Sequence, residues 1–457
     1  MQLPLEYKRE LENLFKEGSE YRRFISCYDE PPYRGIRINT LKVCDERFKE
    51  IFKFKIKKSP FSEDSYYLED AVNSIGNLPL HHAGAFYVQE PSASSAVTAL
   101  DPNPYEKILD LCAAPGGKST QIAAALKGHG LLWSNEVVSS RARVLLSNIE
   151  RMGVRNAVIS SSSPEVLCEK LCGFFDKVLV DAPCTGEGMF RKNPEAIIEW
   201  SPEHVKACAK RQLVILKTAA KSLKKDGLLV YSTCTFSLEE NEGVIYKFLH
   251  ENPDFALEDI DGQFGRAACN VGLSSELIDT SKARKIFPQD GGEGHFVARM
   301  RKVNDDAKKV RDFNYKTAKS TDNKLGYEIF SQLFNCEVYG KIVKAAGKFI
   351  ILPEGLADIA GLNVLRAGVL LATSKGSGWE PAHAAFMAAS KDELKFNIDL
   401  DSGSSEILEY LSGCELSIND KLIGYVGVCV DGIVTGFGKA VNGRLKNKYP
   451  KGLRLFA

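Results

Sequence analysis

The sequence predicts an α/β fold built on a doubly wound, mostly parallel sheet of Rossmann type, with a smaller domain on either side. Three observations predict it. From Lys107 to Tyr231 short apolar runs alternate with helix-competent stretches, the signature of repeated strand–helix–strand units. A glycine turn, Pro115-Gly116-Gly117, joins the first run to the first helix. Two later runs end in cysteine-bearing loops, Asp181-Ala182-Pro183-Cys184 and Ser232-Thr233-Cys234-Thr235. Reactive side chains therefore collect at strand carboxyl ends, where open α/β sheets bind their ligands.

Before that region, Leu5 to Phe24 reads as a helix, and Gly35-Ile36-Arg37-Ile38-Asn39 alternates apolar and polar residues as a strand does. A small α/β domain over residues 1–75 is expected. Lys42, Arg47, Lys49, Lys53, Lys55, Lys57 and Lys58 concentrate positive charge there, which suits phosphate contacts, the alternative being a solvated lysine face.

The central domain is expected over 76–303. Its first strand, Lys107-Ile108-Leu109-Asp110-Leu111, leads through the glycines to a helix from Gln121 to Leu126. Such a turn lets backbone N–H groups approach a ligand ahead of a helix N-terminus, although a tight turn can need glycine for its own geometry. The second strand, Gly130 to Asn135, ends in Glu136, where a dinucleotide-type fold holds ribose hydroxyls, the alternative being a solvated strand-end acid. A helix over Ser140 to Ile149, a strand over Ala157 to Ile159 and a strand over Phe174 to Val180 follow. A long helix from about Pro202 to Leu223 precedes the strand Gly227 to Tyr231, which delivers Cys234. The glycine spacing is not G-x-G-x-x-G. A cofactor without a pyrophosphate needs no phosphate cradle, so S-adenosylmethionine fits better than NAD.

After a strand around Phe296 to Met300, the segment from Arg301 to Lys324 is charged and polar, a linker over 304–324. A connecting domain over 325–375 follows, with strands at Glu337 to Val343 and Lys348 to Leu352. The end domain, 376–457, contains a hairpin with an Asp431-Gly432 turn between Leu422 to Val430 and Ile433 to Gly438. Between Gly436 and Ala457 lie Lys439, Arg444, Lys446, Lys448, Lys451 and Arg454 without an acidic residue, interleaved with Phe437 and Tyr449. Basic charge with aromatics suits RNA, though an exposed basic edge has the same composition.

Composition narrows the function classes. The 457 residues suit about three domains, and a hydrophobic content of 44% is ample for packed cores. With 60 basic and 59 acidic residues the net charge is +1, so nucleic-acid affinity must come from local patches. The 12 cysteines form no Cys-x-x-Cys pair and the 7 histidines are scattered, so neither a zinc site nor a disulfide framework is expected. Met1 to Glu6 has no signal-peptide character and no apolar run approaches membrane-spanning length. A cytoplasmic protein with reduced thiols and no membrane partner is expected, and oligomeric state is open.

Two cysteines beside a cofactor turn suggest one chemistry in particular. Carbon 5 of cytosine is a poor nucleophile. A thiolate adding to carbon 6 makes an enamine whose carbon 5 can attack a sulfonium methyl group, and a second thiol can assist the later steps. Spacing alone leaves open whether Cys184 or Cys234 is the nucleophile, and both can be small buried hydrophobes.

Asp110 to Lys118, Asp181 to Cys184 and Ser232 to Thr235 resemble the cofactor, proline-cysteine and threonine-cysteine motifs of the NOL1/NOP2/Sun family of RNA cytosine-5 methyltransferases. Pro32 to Lys42, Tyr87 to Pro91, Gly186 to Lys192 and Gly291 to Phe296 resemble its bacterial RsmF branch, which acts on small-subunit ribosomal RNA. The tail, with Lys446-Asn447-Lys448-Tyr449-Pro450-Lys451-Gly452, is similar to that branch's PUA-like domain. The resemblance implies a Rossmann-like S-adenosylmethionine-dependent core, Cys234 as nucleophile and Cys184 as the residue aiding release. It implies cofactor contacts from Cys112, Ala113, Ala114, Pro115, Gly116, Gly117, Lys118, Glu136 and Asp181. It also implies ribosomal RNA or the small ribosomal subunit as partner. Transfer RNA as substrate, or a non-catalytic RNA-binding assembly factor, are the alternatives. One departure stands out: many relatives carry an aspartate for the adenine amino group where this chain reads Ser160-Ser161-Ser162-Ser163-Pro164. A hydroxyl or backbone group must replace it.

Overall fold

The computed structural model describes residues 3–15, 18–260, 264–269, 278–304, 320–376 and 378–455. The first sheet has four antiparallel strands, β1 (Gly35–Ile38), β2 (Ile56–Lys58), β3 (Ser65–Leu68) and β4 (Phe86–Val88), in the order β2-β3-β1-β4. Ile36 pairs with Val88 and Ile38 with Phe86, so this sheet extends past the expected boundary at residue 75. The expected single N-terminal helix is two, Leu5–Leu14 and Gly18–Ser26. Phe15 leaves the helix in an extended conformation, and its ring packs 5.2 Å from Phe24 and 5.1 Å from Phe287. Tertiary aromatic packing ends the helix where local pattern would continue it.

The central strands are β5 (Lys107–Asp110), β6 (Leu131–Asn135), β7 (Ala157–Ser160), β8 (Phe175–Asp181) and β9 (Leu223–Thr233), all parallel in the order β7-β6-β5-β8-β9. β6 is buried along its whole length, as a strand covered by helices on both faces must be. The helix Ser139–Arg151 presents Ala142, Leu145 and Ile149 to that sheet, an apolar stripe at helical spacing. The helix Pro202–Ala220 starts where Ser201 Oγ accepts the His204 N–H at 3.1 Å, with proline at its first position. Beyond β9 the sheet turns antiparallel through β10 (Phe255–Glu258), β11 (Arg266–Ala267), β12 (Arg284–Ile286) and β13 (His295–Lys302), in the order β11-β12-β13-β9, with β10 also on β13.

Residues 305–319 of the expected linker lie outside the described residues. A helix, Ser320–Leu333, already occupies the linker's last positions and buries Ile329, Phe330 and Leu333. Its polar first half and the interior Gly326 hide it from pattern reading. The connecting domain's antiparallel sheet is β14 (Lys341–Ala345), β15 (Lys348–Leu352), β17 (Val369–Lys375) and β18 (Gly378–Pro381). Its first strand begins four residues after the expected Glu337, because the helix and a short connection occupy the chain up to Gly340. The hairpin of β17 and β18 crosses the expected boundary at 375, pairing Lys375 with Gly378. Between β15 and β17 in sequence, β16 (Val364–Ala367) adds to the central sheet instead, antiparallel to β7.

The last sheet is β19 (Asn397–Leu400), β20 (Leu416–Ser417), β21 (Gly424–Val430), β22 (Ile433–Val441) and β23 (Arg444–Asn447). Its central hairpin turns at Asp431, φ 48°, and Gly432, φ 88°, the positive-φ pair of a two-residue turn whose twist matches its strands. The first and last domains share one apolar core, in which Ile36, Ile38, Phe48 and Phe86 pack with Ile407, Tyr410, Val426 and Tyr449. His82 Nδ1 and Tyr449 OH hydrogen-bond across this boundary at 2.7 Å. Among the described residues no helix is long and apolar enough to cross a membrane.

Candidate functional site

Asp110 ends β5, and its carboxyl group is buried beneath the glycine turn. Ser119 Oγ donates to its Oδ2 at 2.7 Å, while Oδ1 is buried without a hydrogen-bond partner. Burial raises this carboxyl to about 7, because an apolar surrounding disfavours the charged form. The turn itself is tied down from several sides. Asn148 Nδ2 donates to Pro115 O at 2.9 Å and Arg141 Nη2 to Ala114 O at 3.1 Å. Arg37, from the first domain, donates to Thr120 Oγ1 at 2.7 Å and to Gly117 O at 3.3 Å. Gly116 has φ 114°, and a Cβ there would lie 3.1 Å from Leu145 Cδ1, so both conformation and space call for glycine. Burial, followed by the charges of Asp110, Asp181 and Glu136, pushes the Cys112 thiol well up. Cys112 is thus a neutral wall of the site.

Glu136 follows β6 and is 3% exposed. Its Oε1 accepts the Val138 N–H at 3.0 Å, and Arg141 Nη1 stands 3.5 Å from Oε2. Across the sheet's switch point, Lys118 Nζ contacts Asp181 Oδ2 at 2.8 Å, and Ser232 Oγ donates to Asp181 Oδ1 at 2.7 Å. Burial opposes ionisation of Asp181, but Lys118, His295 and Ser232 outweigh it and hold the carboxyl below its ordinary value.

The two cysteine loops meet. Cys184 Sγ and Cys234 Sγ are 3.3 Å apart. The hydrogen bond to Cys234, then burial, then the charges of Cys234 and Glu240 raise the Cys184 thiol well above its ordinary value, so Cys184 keeps its proton. Two buried glutamates that pattern reading missed stitch these loops together. Glu240 accepts from Thr185 N at 3.1 Å, Thr185 Oγ1 at 2.5 Å and Gln212 Nε2 at 2.7 Å. Glu187 accepts from Trp200 Nε1 at 2.9 Å and Phe236 N at 2.9 Å. Nothing in their sequence spacing marks Glu240, whereas Glu187 lies inside the Gly186 to Lys192 segment.

The serines that replace the expected adenine-binding aspartate are engaged elsewhere. Ser162 Oγ accepts the Asn363 N–H at 3.0 Å, Ser161 N donates to Asn363 O at 2.8 Å, and Asn363 Nδ2 donates to Ser161 O at 3.1 Å. Ser161 Oγ donates to Val137 O at 3.2 Å. The connecting domain therefore buttresses the strand-end loop beside Glu136.

The basic segments divide differently from the sequence reading. Lys42 is half-buried: its Nζ donates to Ala83 O at 2.8 Å and Val434 O at 3.3 Å, so its ammonium ties the first domain to the last. Arg47, Lys53, Lys55 and Lys57 are exposed. In the tail, Phe437 and Tyr449 are each 3% exposed, so they serve the core and cannot stack on bases. Lys439, Arg444, Lys446 and Lys451 are exposed, and Lys439 and Lys446 are cross-strand partners. Lys439 Nζ lies 5.7 Å from the Tyr425 ring centroid, and the half-buried Trp379 ring packs against the same tyrosine at 5.5 Å.

Residues 97–301 match the family model of 16S rRNA methyltransferase RsmB/F. Residues 3–91 match the N-terminal domain of 16S rRNA methyltransferase RsmF, and residues 397–455 its PUA domain. The ribosomal RNA small subunit methyltransferase F of Vibrio vulnificus is 33% identical over 99% of this chain and 97% of its own length. The chain belongs to this RsmB/F methyltransferase family. The Shewanella oneidensis protein of the same description is 31% identical over 94% of this chain and 92% of its own length. A methyltransferase homologue from Pyrococcus horikoshii, solved as a crystal structure, superposes with a TM-score of 0.57 at 30% identity, covering 66% of this chain and all of that one, 100%. The cofactor of this RsmB/F member is S-adenosylmethionine. The strand-end groups fit it: a buried carboxylate at Glu136, an orphaned oxygen on Asp110 and a turn stripped of Cβ atoms at Gly116 and Gly117.

Proposed function

We propose that this chain methylates carbon 5 of a cytosine in small-subunit ribosomal RNA, through a covalent adduct with Cys234. The observation that carries the proposal is the thiol pair, Cys184 and Cys234 at 3.3 Å, facing the ion pair of Lys118 and Asp181 at the strand ends. Glu136 would hold the ribose hydroxyls of S-adenosylmethionine, and the Cys112 to Lys118 turn would receive its amino-acid portion. When bound, the cofactor supplies an electrophilic methyl group.

Cys234, as thiolate, bonds to carbon 6, and the electron pair of the 5,6 double bond becomes available at carbon 5. After carbon 5 is methylated, its proton passes to solvent water, the carbon–hydrogen electron pair re-forms the double bond, and the carbon–sulfur bond breaks as the thiolate departs. Cys184 retains a proton beside Cys234 and can hand it to the departing sulfur, which disfavours re-addition. Asp181, ionised and fixed by Lys118 and Ser232, is an acceptor for the exocyclic amino group of cytosine, a group uracil lacks. A base stacked in a duplex cannot present carbon 6 to a thiol in a strand-end cleft, so the cytosine must be extruded or single-stranded.

The exposed basic face of Lys439, Arg444 and Lys446 supports RNA contact by the PUA domain. The test is methyl transfer from labelled S-adenosylmethionine to unmodified small-subunit ribosomal RNA, followed by nucleoside analysis. Label in 5-methylcytidine supports the proposal. Preferential labelling of transfer RNA would move the substrate, and RNA binding without any label would leave an assembly factor.

A further inference from the structure

His295 opens β13, whose antiparallel register sets Phe296 opposite Thr233 of β9. The register ends at that pair, and His295 and Cys234 are the residues that immediately flank it, one on each side of the ladder. The approach of the two chains there is close: Gly188 N donates to Cys234 O at 2.9 Å, and a Cβ on Gly188 would lie 2.9 Å from Gly294 O. His295 is 5% exposed, the Gly294 backbone is the polar group beside its ring, and neither ring nitrogen makes a hydrogen bond of ordinary geometry. The charged groups that face it are Lys118, Asp181 and Glu90. Buried polar side chains are almost always paired, and one that is not marks either a water site or a site for a ligand. Here the ring lies near Lys118 of the cofactor turn and Asp181 at the start of the Cys184 loop.

Burial, followed by the charge of Lys118, lowers this imidazole to about 4, so it is neutral at ordinary pH. A neutral imidazole carries one N–H donor and one lone-pair acceptor. Glu90 is not available to the base as a free acceptor, because its carboxylate already accepts Ser92 N, Ala93 N, Ser92 Oγ and Glu293 N. Asp181, paired with Lys118, is assigned above to the exocyclic amino group, which leaves the rest of the polar edge of the base to another group. Among the described residues the ring of His295 has no side-chain hydrogen-bond partner.

We propose that His295 contacts the target base, hydrogen-bonding the polar edge of the pyrimidine and holding its carbon 6 against Cys234 Sγ. This inference rests on the cytosine reading above. Addition of a thiolate to carbon 6 moves electron density toward the ring carbonyl and N3, so an N–H donor placed on that edge is worth more during addition than before it. The contact is then expressed in the rate of the bound complex more than in RNA affinity, which many backbone contacts supply.

The test uses the full chain with His295→Phe, which keeps a ring of similar size without nitrogens, and with His295→Asn and His295→Gln, which restore a donor and an acceptor. Three quantities are measured: S-adenosylhomocysteine affinity by calorimetry, kcat and KM on unmodified small-subunit ribosomal RNA, and the product nucleoside. His295→Phe should bind S-adenosylhomocysteine within about two-fold of the parent and lose about ten-fold or more in kcat with KM for RNA little changed. At least one amide variant should recover most of that loss. Parent-like kcat in His295→Phe, equal loss in all three variants, or loss of cofactor affinity would each overturn the inference. A parent product other than 5-methylcytidine would instead remove the cytosine reading itself, and this inference with it.

Discussion

Cys184 Sγ lies 3.3 Å from Cys234 Sγ although the two residues are 50 positions apart in the chain. Cys184 is held protonated by its neighbour and by burial. Cys234→Ala should neither methylate nor cross-link RNA. Cys184→Ala should accumulate a protein–RNA species that survives denaturing gels when S-adenosylmethionine is present, because addition remains possible and release is impaired. An adduct appearing with Cys234→Ala would reverse the roles.

Glu136→Ala should lower S-adenosylmethionine affinity by about ten-fold or more, since a carboxylate accepting ribose hydroxyls makes charge-assisted hydrogen bonds worth about 1.5–3 kcal/mol each. The melting temperature should change little, because the substitution removes a single acceptor from the backbone, that of Val138 N. Calorimetry with S-adenosylhomocysteine reads the effect without any RNA.

Lys118→Met gives a pH-dependent phenotype whose sign is fixed by Asp181. In the parent, Asp181 titrates below its unfolded value, so its contribution is present above roughly pH 4 and is lost as pH falls through the lower folded value. Without Lys118, burial dominates and the folded value moves above the unfolded one. The variant then loses stability as pH rises from about 4 toward neutrality. The difference in melting temperature between parent and variant should be largest near neutral pH and shrink on acidification. A difference independent of pH would mean that Lys118 acts through packing alone.

Lys439→Glu with Lys446→Glu should weaken RNA binding and make its salt dependence shallower, by about one unit of slope for every phosphate that is no longer neutralised. Both side chains are exposed, so the fold and cofactor binding should be unaffected. Deleting residues 376–457 is not an equivalent experiment. It strips the partners from Ile36, Ile38, Phe48 and Phe86 and should destabilise the first domain. Equal affinity and equal salt slope for the parent and the double variant would take this face out of the RNA path.

Local pattern made the site's frame legible: the turn at Gly116 and Gly117, Glu136 at the end of its strand, and the loops of Cys184 and Cys234 all fall where short apolar runs end. What escaped it depends on long-range contacts. Lys42 reads as one lysine among many, but its acceptors are 41 and 392 residues away. Phe437 and Tyr449 look like stacking aromatics among basic residues, whereas a strand's inward face and a neighbouring domain bury them. Glu240 carries no spacing signature and Glu187 is marked only by the Gly186 to Lys192 segment, because their partners, Thr185 and Gln212 for one and Trp200 and Phe236 for the other, come from separate stretches of chain. The break at Phe15 is set by rings that the chain supplies only at Phe24 and Phe287.

The apolar core shared by the first and last domains gives the chain an order-of-assembly problem. During synthesis Ile36 to Phe86 leave the ribosome first, yet the surface that covers them, from Ile407 to Tyr449, leaves last. The earliest-made part of the molecule is thus among the last to be completed. Until then it presents an uncovered apolar face, the state most exposed to aggregation and proteolysis. The long sequence separation of these contacts also places the closure late in folding. Nascent chains halted before residue 407 should therefore be protease-sensitive at both the N-terminal and connecting segments, while the central sheet, whose strands follow one another closely, is already protected.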